Sequence, residues 1–235
     1  MILALLAVFC VAHAEPPRGA VAAGWSGGPS RFYGFVQAEP ALGRSEEASV
    51  GFRATSSFLR YEIIDAYQKT TRVDSPGLAL AAAFTYAPTT WSFDFTVGAE
   101  ARRTLREQVD AARLTNLEIG VTLAIDASWR PDPRVAFSAG GNFSGANKYF
   151  FGRAGAQRQV LPLFRHDPPN ALWLGVDATA QGNRDVRSVE GGALATMVIV
   201  NWKTSFSVRG DFGVEDLGHS TQPTARLGFG LYRWF

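Results

Sequence analysis

The stretch NLEIGVTLAIDASW, at residues 116–129, alternates apolar and polar side chains along its length. Its odd-numbered positions run from Leu117 to Trp129 and are all apolar, whereas its even-numbered positions include Glu118 and Asp126. In an extended strand successive side chains point to opposite faces, so this pattern predicts one apolar and one polar face. The stretch is also long enough to cross a bilayer as a tilted strand. It therefore predicts one strand of a transmembrane β-barrel.

The same alternation recurs along the chain. The segments that carry it are 20–27, 31–38, 48–61, 78–86, 91–102, 117–129, 135–143, 149–157, 172–180, 193–201, 203–215 and 225–235. Lipid offers no hydrogen bonds to the backbone, so strands that cross a membrane must close into a barrel without an edge. A soluble β-sandwich also alternates, but the many long strands and the Arg-rich polar faces favour the barrel. We expect an all-β fold, an antiparallel transmembrane β-barrel of about 12 strands.

The predicted connections differ in length on the two sides of the barrel. Short turns are expected at 87–90, 130–133 and near 201–203, and longer polar loops at 65–76, 104–115 and 217–223. Short periplasmic turns and long extracellular loops are typical of outer-membrane barrels, and an even strand number places both termini in the periplasm. The proline-containing segment 160–170 is the exception, because it is long and falls on the short-turn side.

The N-terminus predicts a secretory signal peptide. Residues 2–12 are apolar and lead into Ala12-His13-Ala14, which matches a small-residue cleavage site. We therefore expect a cleaved signal peptide at 1–14, a barrel domain at 15–235 and location in the outer membrane of a Gram-negative cell. Cleavage would also remove Cys10, the one cysteine, which leaves no thiol chemistry in the mature chain.

The C-terminal segment is typical of an outer-membrane strand. The alternating apolar residues of 225–231 lead to Phe235, which we interpret as the signal for the barrel-insertion machinery. Arg233 interrupts the apolar face near the chain end, where a long side chain can reach the interface. Tyr232 and Trp234 are expected near the periplasmic rim, in the aromatic girdle. Outer-membrane lipid is then the principal surrounding partner.

The polar faces of the predicted strands define a candidate luminal network. Its members are Asp94, Glu100, Glu118, Asp126, Arg209 and Asp211. One interpretation is a lumen that selects cations or sugar hydroxyls, and the favoured one is a structural set of ion pairs with luminal arginines. Tyr149, Phe151 and Trp173 are candidate aromatic platforms for a sugar.

Composition and motifs argue against several function classes. The net charge is only +2 and no basic stripe occurs, so nucleic acid is not an expected partner. The mature chain would keep only His166 and His219, which is weak support for a metal site. A lipid hydrolase using His219 and Ser220 with Glu215 or Asp216 in a predicted loop is the least favoured alternative. We expect no enzyme, no cofactor and no metal.

Several short segments resemble a known family, the bacterial cellulose-biosynthesis accessory proteins of the BcsS type. They are Gly24-Trp25 and the segments 32–36, 97–100, 147–153, 174–178 and 189–193, with the aromatic C-terminus. The resemblance implies an outer-membrane barrel that acts beside the cellulose-synthase complex, in assembly or export of the polymer. It implies cellulose or another exopolysaccharide and that complex as partners, and no catalytic residues. A small porin-like channel is the alternative.

Overall fold

The computed structural model describes residues 18–64, 67, 69–107, 114–163 and 170–235. These residues form twelve β-strands and one turn of 3-10 helix, Val200–Trp202. The strands are β1 Gly19–Gly27, β2 Arg31–Arg44, β3 Ala48–Ile64, β4 Thr70–Tyr86, β5 Trp91–Glu107, β6 Leu114–Asp132, β7 Val135–Ser144, β8 Tyr149–Leu163, β9 Asn170–Gly182, β10 Arg187–Ile199, β11 Thr204–Asp216 and β12 Thr221–Trp234. The predicted signal peptide lies outside the described residues.

The twelve strands close into one barrel. Each strand pairs antiparallel with its neighbours in sequence, and β1 pairs with β12 from Ala20↔Trp234 to Gly27↔Leu227. The expected all-β class, the antiparallel barrel and the strand number are therefore confirmed. Both termini lie at one end, the periplasmic end by the convention of such barrels, together with the turns after β2, β4, β6, β8 and β10. We call the opposite end the outer end.

The described part of the chain contains no helix long and apolar enough to cross a membrane.

The outward faces of the strands form an apolar belt. In β6 the odd-numbered residues from Val121 to Ile125 are exposed and apolar, whereas Thr122 and Ala124 are buried on the inner face. Exposed apolar side chains that would be costly in water are favourable against lipid, so this face is the lipid surface. At the periplasmic edge of the belt, Tyr86 packs edge-on against Trp91 with ring centroids 5.1 Å apart.

The strands extend further toward the outer end than the sequence suggested. Residues 70–76, 104–107 and 221–223 belong to β4, β5 and β12, although we predicted loops there. Charged side chains such as Arg72 and Asp74 made these segments look like loops. They lie on the outward face beyond the apolar belt, where water replaces lipid and a strand tolerates charge on both faces.

We predicted that Tyr232 and Trp234 lie in the aromatic girdle near the periplasmic rim, and this prediction was wrong. Both point into the barrel, where Trp234 is buried and packs with Trp173, Val198 and Ala136 at the periplasmic end. The odd-numbered residues of β12 face lipid, so even-numbered Tyr232 and Trp234 must face inward.

Candidate functional site

The lumen of the barrel is lined by charged and small side chains, and it is the candidate site. Its ion pairs fall into four groups at different heights. The outer cluster comprises Arg31, Glu190, Glu215 and Arg226; the β5 pair comprises Glu100 and Arg102; the central cluster comprises Arg153, Asp177, Arg209 and Asp211; and the wall cluster comprises Glu39, Arg53 and Asp94.

The outer cluster is built around the carboxylate of Glu215, which is completely buried. Guanidinium nitrogens of Arg31 and Arg226 lie 2.7 Å and 3.1 Å from its Oε1, and the Ser30 hydroxyl donates to its Oε2. Arg226 also contacts Oε1 of Glu190 at 2.8 Å. Two arginines and two carboxylates thus neutralise one another away from water, which is the condition for burying charge at tolerable cost.

The outer cluster also spans the lumen. Arg31 begins β2 and donates to the hydroxyl of Tyr149 at 3.3 Å, and Tyr149 begins β8 on the opposite wall. The Tyr149 hydroxyl donates in turn to Gln181 at 2.9 Å, and the Gln181 amide donates to Glu190 at 3.2 Å. The Arg31–Tyr149 bond joins β2 and β8, which do not pair in the sheet, and the other two bonds extend the connection to β9 and β10.

An apolar layer packs against the outer cluster. Tyr33, Leu59 and Tyr149 pack there with Val186, which lies in the connection between β9 and β10, and with Leu217. These residues come from opposite walls of the barrel, so their contact fills the lumen at this height. The outer end is therefore sealed by apolar side chains packed on both sides of a neutral ionic layer.

The connection between β11 and β12 forms part of the seal, and we call residues 217–220 the lid. Leu217 is only 1% exposed, and its carbonyl accepts a hydrogen bond of 3.0 Å from the amide of Ile64, the last residue of β3. Gly218 bridges to the same residue and has φ of +97°, a conformation that glycine adopts without strain. The lid thus reaches from β11 to the end of β3.

The β5 pair is isolated from solvent at mid-height. Arg102 lies 2.7 Å from Glu100 and donates to the Ser75 carbonyl at 2.6 Å and to the Ser57 hydroxyl at 2.9 Å. Ser144 of β7 donates to the other oxygen of Glu100. The pair joins β3, β4, β5 and β7 through charge-assisted hydrogen bonds, which are the stronger kind.

The central cluster shares two carboxylates between two arginines. Arg153 lies 2.6 Å from Asp177, and Arg209 lies 3.6 Å from Asp177 and 2.5 Å from Asp211. The four groups come from β8, β9 and β11, and their formal charges cancel.

Luminal glycines make room for these charged side chains. A Cβ at Gly192 would lie 2.2 Å from Oδ1 of Asp211, and one at Gly77 would lie 2.8 Å from a guanidinium nitrogen of Arg102. Contacts that short are repulsive, so the glycines are required by the neighbouring charge and not by a turn.

The wall cluster lies in the periplasmic half and carries excess negative charge. Arg53 is 2.5 Å from Glu39 and 2.8 Å from Asp94, and Thr85 donates to Asp94 at 2.8 Å. Asp126 lies directly opposite Asp94 in the β5–β6 register, and its buried Oδ1 has no hydrogen-bond partner. One arginine therefore faces three carboxylates.

The six predicted network residues all lie on the luminal faces of their strands, but they do not form one network. Glu100 belongs to the β5 pair, Arg209 and Asp211 to the central cluster, and Asp94 to the wall cluster. Asp126 adjoins the wall cluster. Glu118 stands apart near the outer end, where it accepts a hydrogen bond of 3.1 Å from Asn116. A ligand-selecting role for these residues stays a prediction.

Sequence reasoning missed Arg31, Glu39, Glu190 and Arg226. The inner face of β2 carries Tyr33 and Phe35 beside Arg31, so both faces of that strand look apolar and the alternation gives no clear sign of the lumen. Glu190 precedes the pair Gly191-Gly192, which hid the start of β10. Arg226 was overlooked among the apolar residues of the last strand.

The groups suggested for hydrolysis are not assembled. Glu215 points into the lumen and is bound by two arginines, whereas His219 is exposed on the lid. His166 lies outside the described residues. Among the described residues no group of three or more His, Cys, Asp or Glu side chains is placed to hold a metal ion.

A family model and several solved structures match this chain. A family model described as cellulose biosynthesis protein BcsS matches residues 23–229. No curated protein matches the chain in sequence. The fold is similar to the beta domain of the Bordetella autotransporter Brka, with a TM-score of 0.58 and 11% identity over 94% of this chain and 100% of that chain.

Two further solved structures share the fold. The COG4313 outer membrane channel from Pseudomonas putida F1 has a TM-score of 0.55 at 12% identity, over 96% of this chain and 98% of that chain. The transport unit of the autotransporter AIDA-I from Escherichia coli has a TM-score of 0.55 at 9% identity, over 92% and 89%. A closed barrel with an apolar belt and these neighbours is a protein of the outer membrane.

Proposed function

Because this chain belongs to the BcsS family of cellulose biosynthesis proteins, we propose that it is a non-enzymatic accessory of cellulose biosynthesis or export, acting as a sealed barrel in the outer membrane. The family match provides the link to cellulose. The sealed outer end provides the link to a supporting role, because a lumen filled by its own side chains does not conduct a polymer. The partners that follow are cellulose or a related polysaccharide and the cellulose-synthase complex.

The sealed outer end is the single observation that separates this proposal from a porin-like channel. An open porin leaves a water path, whereas here Arg31 reaches Tyr149 on the opposite wall and Leu217 packs above them. We expect the purified protein to be silent in planar lipid bilayers. Steady open currents from the wild-type protein would instead support the channel.

The lid geometry supports the non-enzymatic part of the proposal. A hydrolytic triad needs its carboxylate free to orient the histidine, and Glu215 is occupied by Arg31 and Arg226. His219→Ala should leave the wild-type phenotype unchanged. A lipid hydrolase activity that disappears in this variant would favour the hydrolase.

The decisive experiment is deletion of the gene in its own host, followed by calcofluor binding and by the glucose that cellulase releases from washed cells. We expect cellulose output to fall and to return with a plasmid copy of the wild-type gene. A copy carrying His219→Ala serves as the matched control and should restore output equally. Unchanged cellulose after deletion, with the synthase still produced, would refute the proposal.

Two terminal features belong to the same proposal. Cleavage after Ala14 would deliver the barrel to the periplasm, and Phe235 would direct it to the insertion machinery. Sequencing the N-terminus of the protein from outer membranes should give Glu15 as the first residue. Phe235→Ser should lower the amount of inserted barrel more than Phe206→Ser, which changes a lipid-facing Phe away from the C-terminus.

A further inference from the structure

Among the residues that the structure describes, no strand pairs with the outer part of β6 on its β7 side. Strand β6 has 19 residues, but β7 has only 10 and pairs with β6 from Thr122 onward. The other side of β6 is fully paired with β5, as far as Arg106↔Leu114. Residues 114–119 therefore form a strand edge, and we call this segment the β6 edge.

Odd and even residues of β6 direct their backbone N–H and C=O groups to opposite sides of the strand. The amide of Gly145 donates to the carbonyl of Val121 at 2.8 Å, so the odd-numbered residues of β6 direct their N–H and C=O groups to the β7 side. In an antiparallel strand both groups of one residue point the same way. Those of Leu117 and Ile119 therefore point outward from the edge, and within the described residues no partner meets them.

The β6 edge is apolar as well as unpaired. Leu117 is 65% exposed and Ile119 is 75% exposed. Leu117 stands opposite Arg103, at the level where charge replaces the apolar belt on the neighbouring strand. Bare backbone groups are not tolerated in hydrocarbon, so this edge belongs above the membrane core. An exposed apolar edge strand is a template for another strand, and proteins normally cover or charge it.

We propose that the β6 edge binds an extended polypeptide segment of a partner at the cell surface, by addition of an antiparallel strand. An extended backbone can replace water on the N–H and C=O groups of Leu117 and Ile119, because its own groups repeat at strand spacing. The bound segment would place apolar side chains beside Leu117 and Ile119 on the outer face. On the inner face it would meet Asn116 and Glu118, which favours a basic or hydroxyl side chain there.

A second copy of this chain is a poor occupant of the edge. Two barrels inserted the same way both run their β6 strands toward the periplasm, with opposite tilts of about 35–45° after a twofold rotation about the membrane normal. Their edges would cross and could not align antiparallel. The partner is therefore a different polypeptide segment, and the inference does not depend on the proposed role in cellulose production.

The test uses the purified full-length barrel in lipid nanodiscs and a fluorescent synthetic heptapeptide of alternating valine and threonine with terminal lysines. Amide hydrogen exchange should be fast at Leu117 and Ile119 without peptide and at least tenfold slower with it. Fluorescence anisotropy should show binding by the parent peptide. A peptide N-methylated on alternate residues, which removes the donors on one edge, should bind at least tenfold more weakly.

Protein variants provide the matched comparison. Ile119→Pro removes the N–H that faces the free side and leaves the β5 ladder intact, so it should weaken peptide binding at least tenfold. Ile119→Ala keeps that N–H and should bind within a few-fold of wild type. If Ile119→Pro does not insert, the N-methylated peptide answers the same question on the wild-type barrel.

Four results would overturn the inference. They are slow exchange at Leu117 and Ile119 in the free barrel, protection that grows with barrel concentration alone, equal binding of the N-methylated peptide, and no protection at saturating parent peptide. The second of these would assign the edge to another copy of the chain.

Discussion

The two halves of the lumen solve the problem of buried charge in different ways. In the outer half, Arg31 and Glu215 come from strands that do not pair, and hydrogen bonds through Tyr149 reach the opposite wall. In the periplasmic half, Arg53 contacts carboxylates on its own side of the barrel, from β2 and β5. The outer cluster thus braces the cross-section, whereas the wall cluster only lines it. The comparison predicts where substitution opens the barrel and where it merely weakens a wall.

The largest effect is expected from Glu215→Ala, which removes the acceptor shared by Ser30, Arg31 and Arg226. Breaking a buried ion pair leaves uncompensated charge and costs about 3–5 kcal/mol. We expect a loss of that size in urea unfolding from detergent micelles, together with current steps in planar bilayers.

Glu46→Ala is the matched control for Glu215→Ala, because it removes the same carboxylate from an exposed position in the turn between β2 and β3. It should change stability by less than about 1 kcal/mol and leave the bilayer silent. Equal losses in the two variants, or an unaltered Glu215→Ala barrel, would contradict the bracing role of the outer cluster.

A smaller effect is expected from Arg53→Ala in the wall cluster. It leaves Glu39, Asp94 and Asp126 facing one another without a cation, and hydrogen bonds to charged groups contribute about 1.5–3 kcal/mol. The same urea titration should show a loss in that range but no current steps. Conductance in Arg53→Ala comparable with that of Glu215→Ala would erase the distinction between the two halves.

The next largest loss of stability is expected from adding a methyl group beside the central cluster. Gly192→Ala would press a methyl group against Asp211 and should cost about 1–3 kcal/mol, the usual range for overpacking. Gly210→Ala is the control, because a Cβ there meets no atom within 4 Å. The difference between the two unfolding midpoints measures how tightly the lumen is filled, and identical midpoints would show that it is loose.

The smallest effect, and one of opposite sign, is expected from Asp126→Asn. Asp126 has a buried oxygen without a partner and faces Asp94, so removing its charge should raise stability by about 0.5–1 kcal/mol. The change should be larger in the Arg53→Ala background, where repulsion is uncompensated. A loss of stability in both backgrounds would mean that the Asp126 carboxylate has a favourable partner.

Strand number and side-chain direction could be predicted from sequence because both follow from a local period of two. β6 shows this clearly, since each odd-numbered residue from Leu117 to Ile125 points to the outside of the barrel. Strand ends were less predictable. Arg72 and Asp74 look like loop residues in sequence, yet they lie in β4 beyond the apolar belt. There water replaces lipid, so the outward face of a strand can carry charge.

The pairing inside the lumen could not be predicted, because it depends on distances across the barrel and not along a strand. Arg31 and Glu215 are brought together by three successive strand pairings, β2 with β1, β1 with β12 and β12 with β11. A local sequence pattern does not reveal the register of these pairings. Asp94 and Glu100 share one face of β5 but bind different arginines, since they lie at different heights.

The seam between β1 and β12 sets the order in which the barrel can assemble. Ala20 and Trp234, which pair there, are 214 positions apart along the chain (234 minus 20), whereas Asp132 and Val135 of the β6–β7 hairpin are 3 apart (135 minus 132). The entropy lost on joining two positions grows with the length between them, so hairpins form first and the seam last. Until then the sheet has two open edges, at β1 and β12, and is exposed to proteases and to pairing with other chains. The faster β1 pairs with β12, the shorter the time for which the unfinished barrel is exposed in the cell envelope.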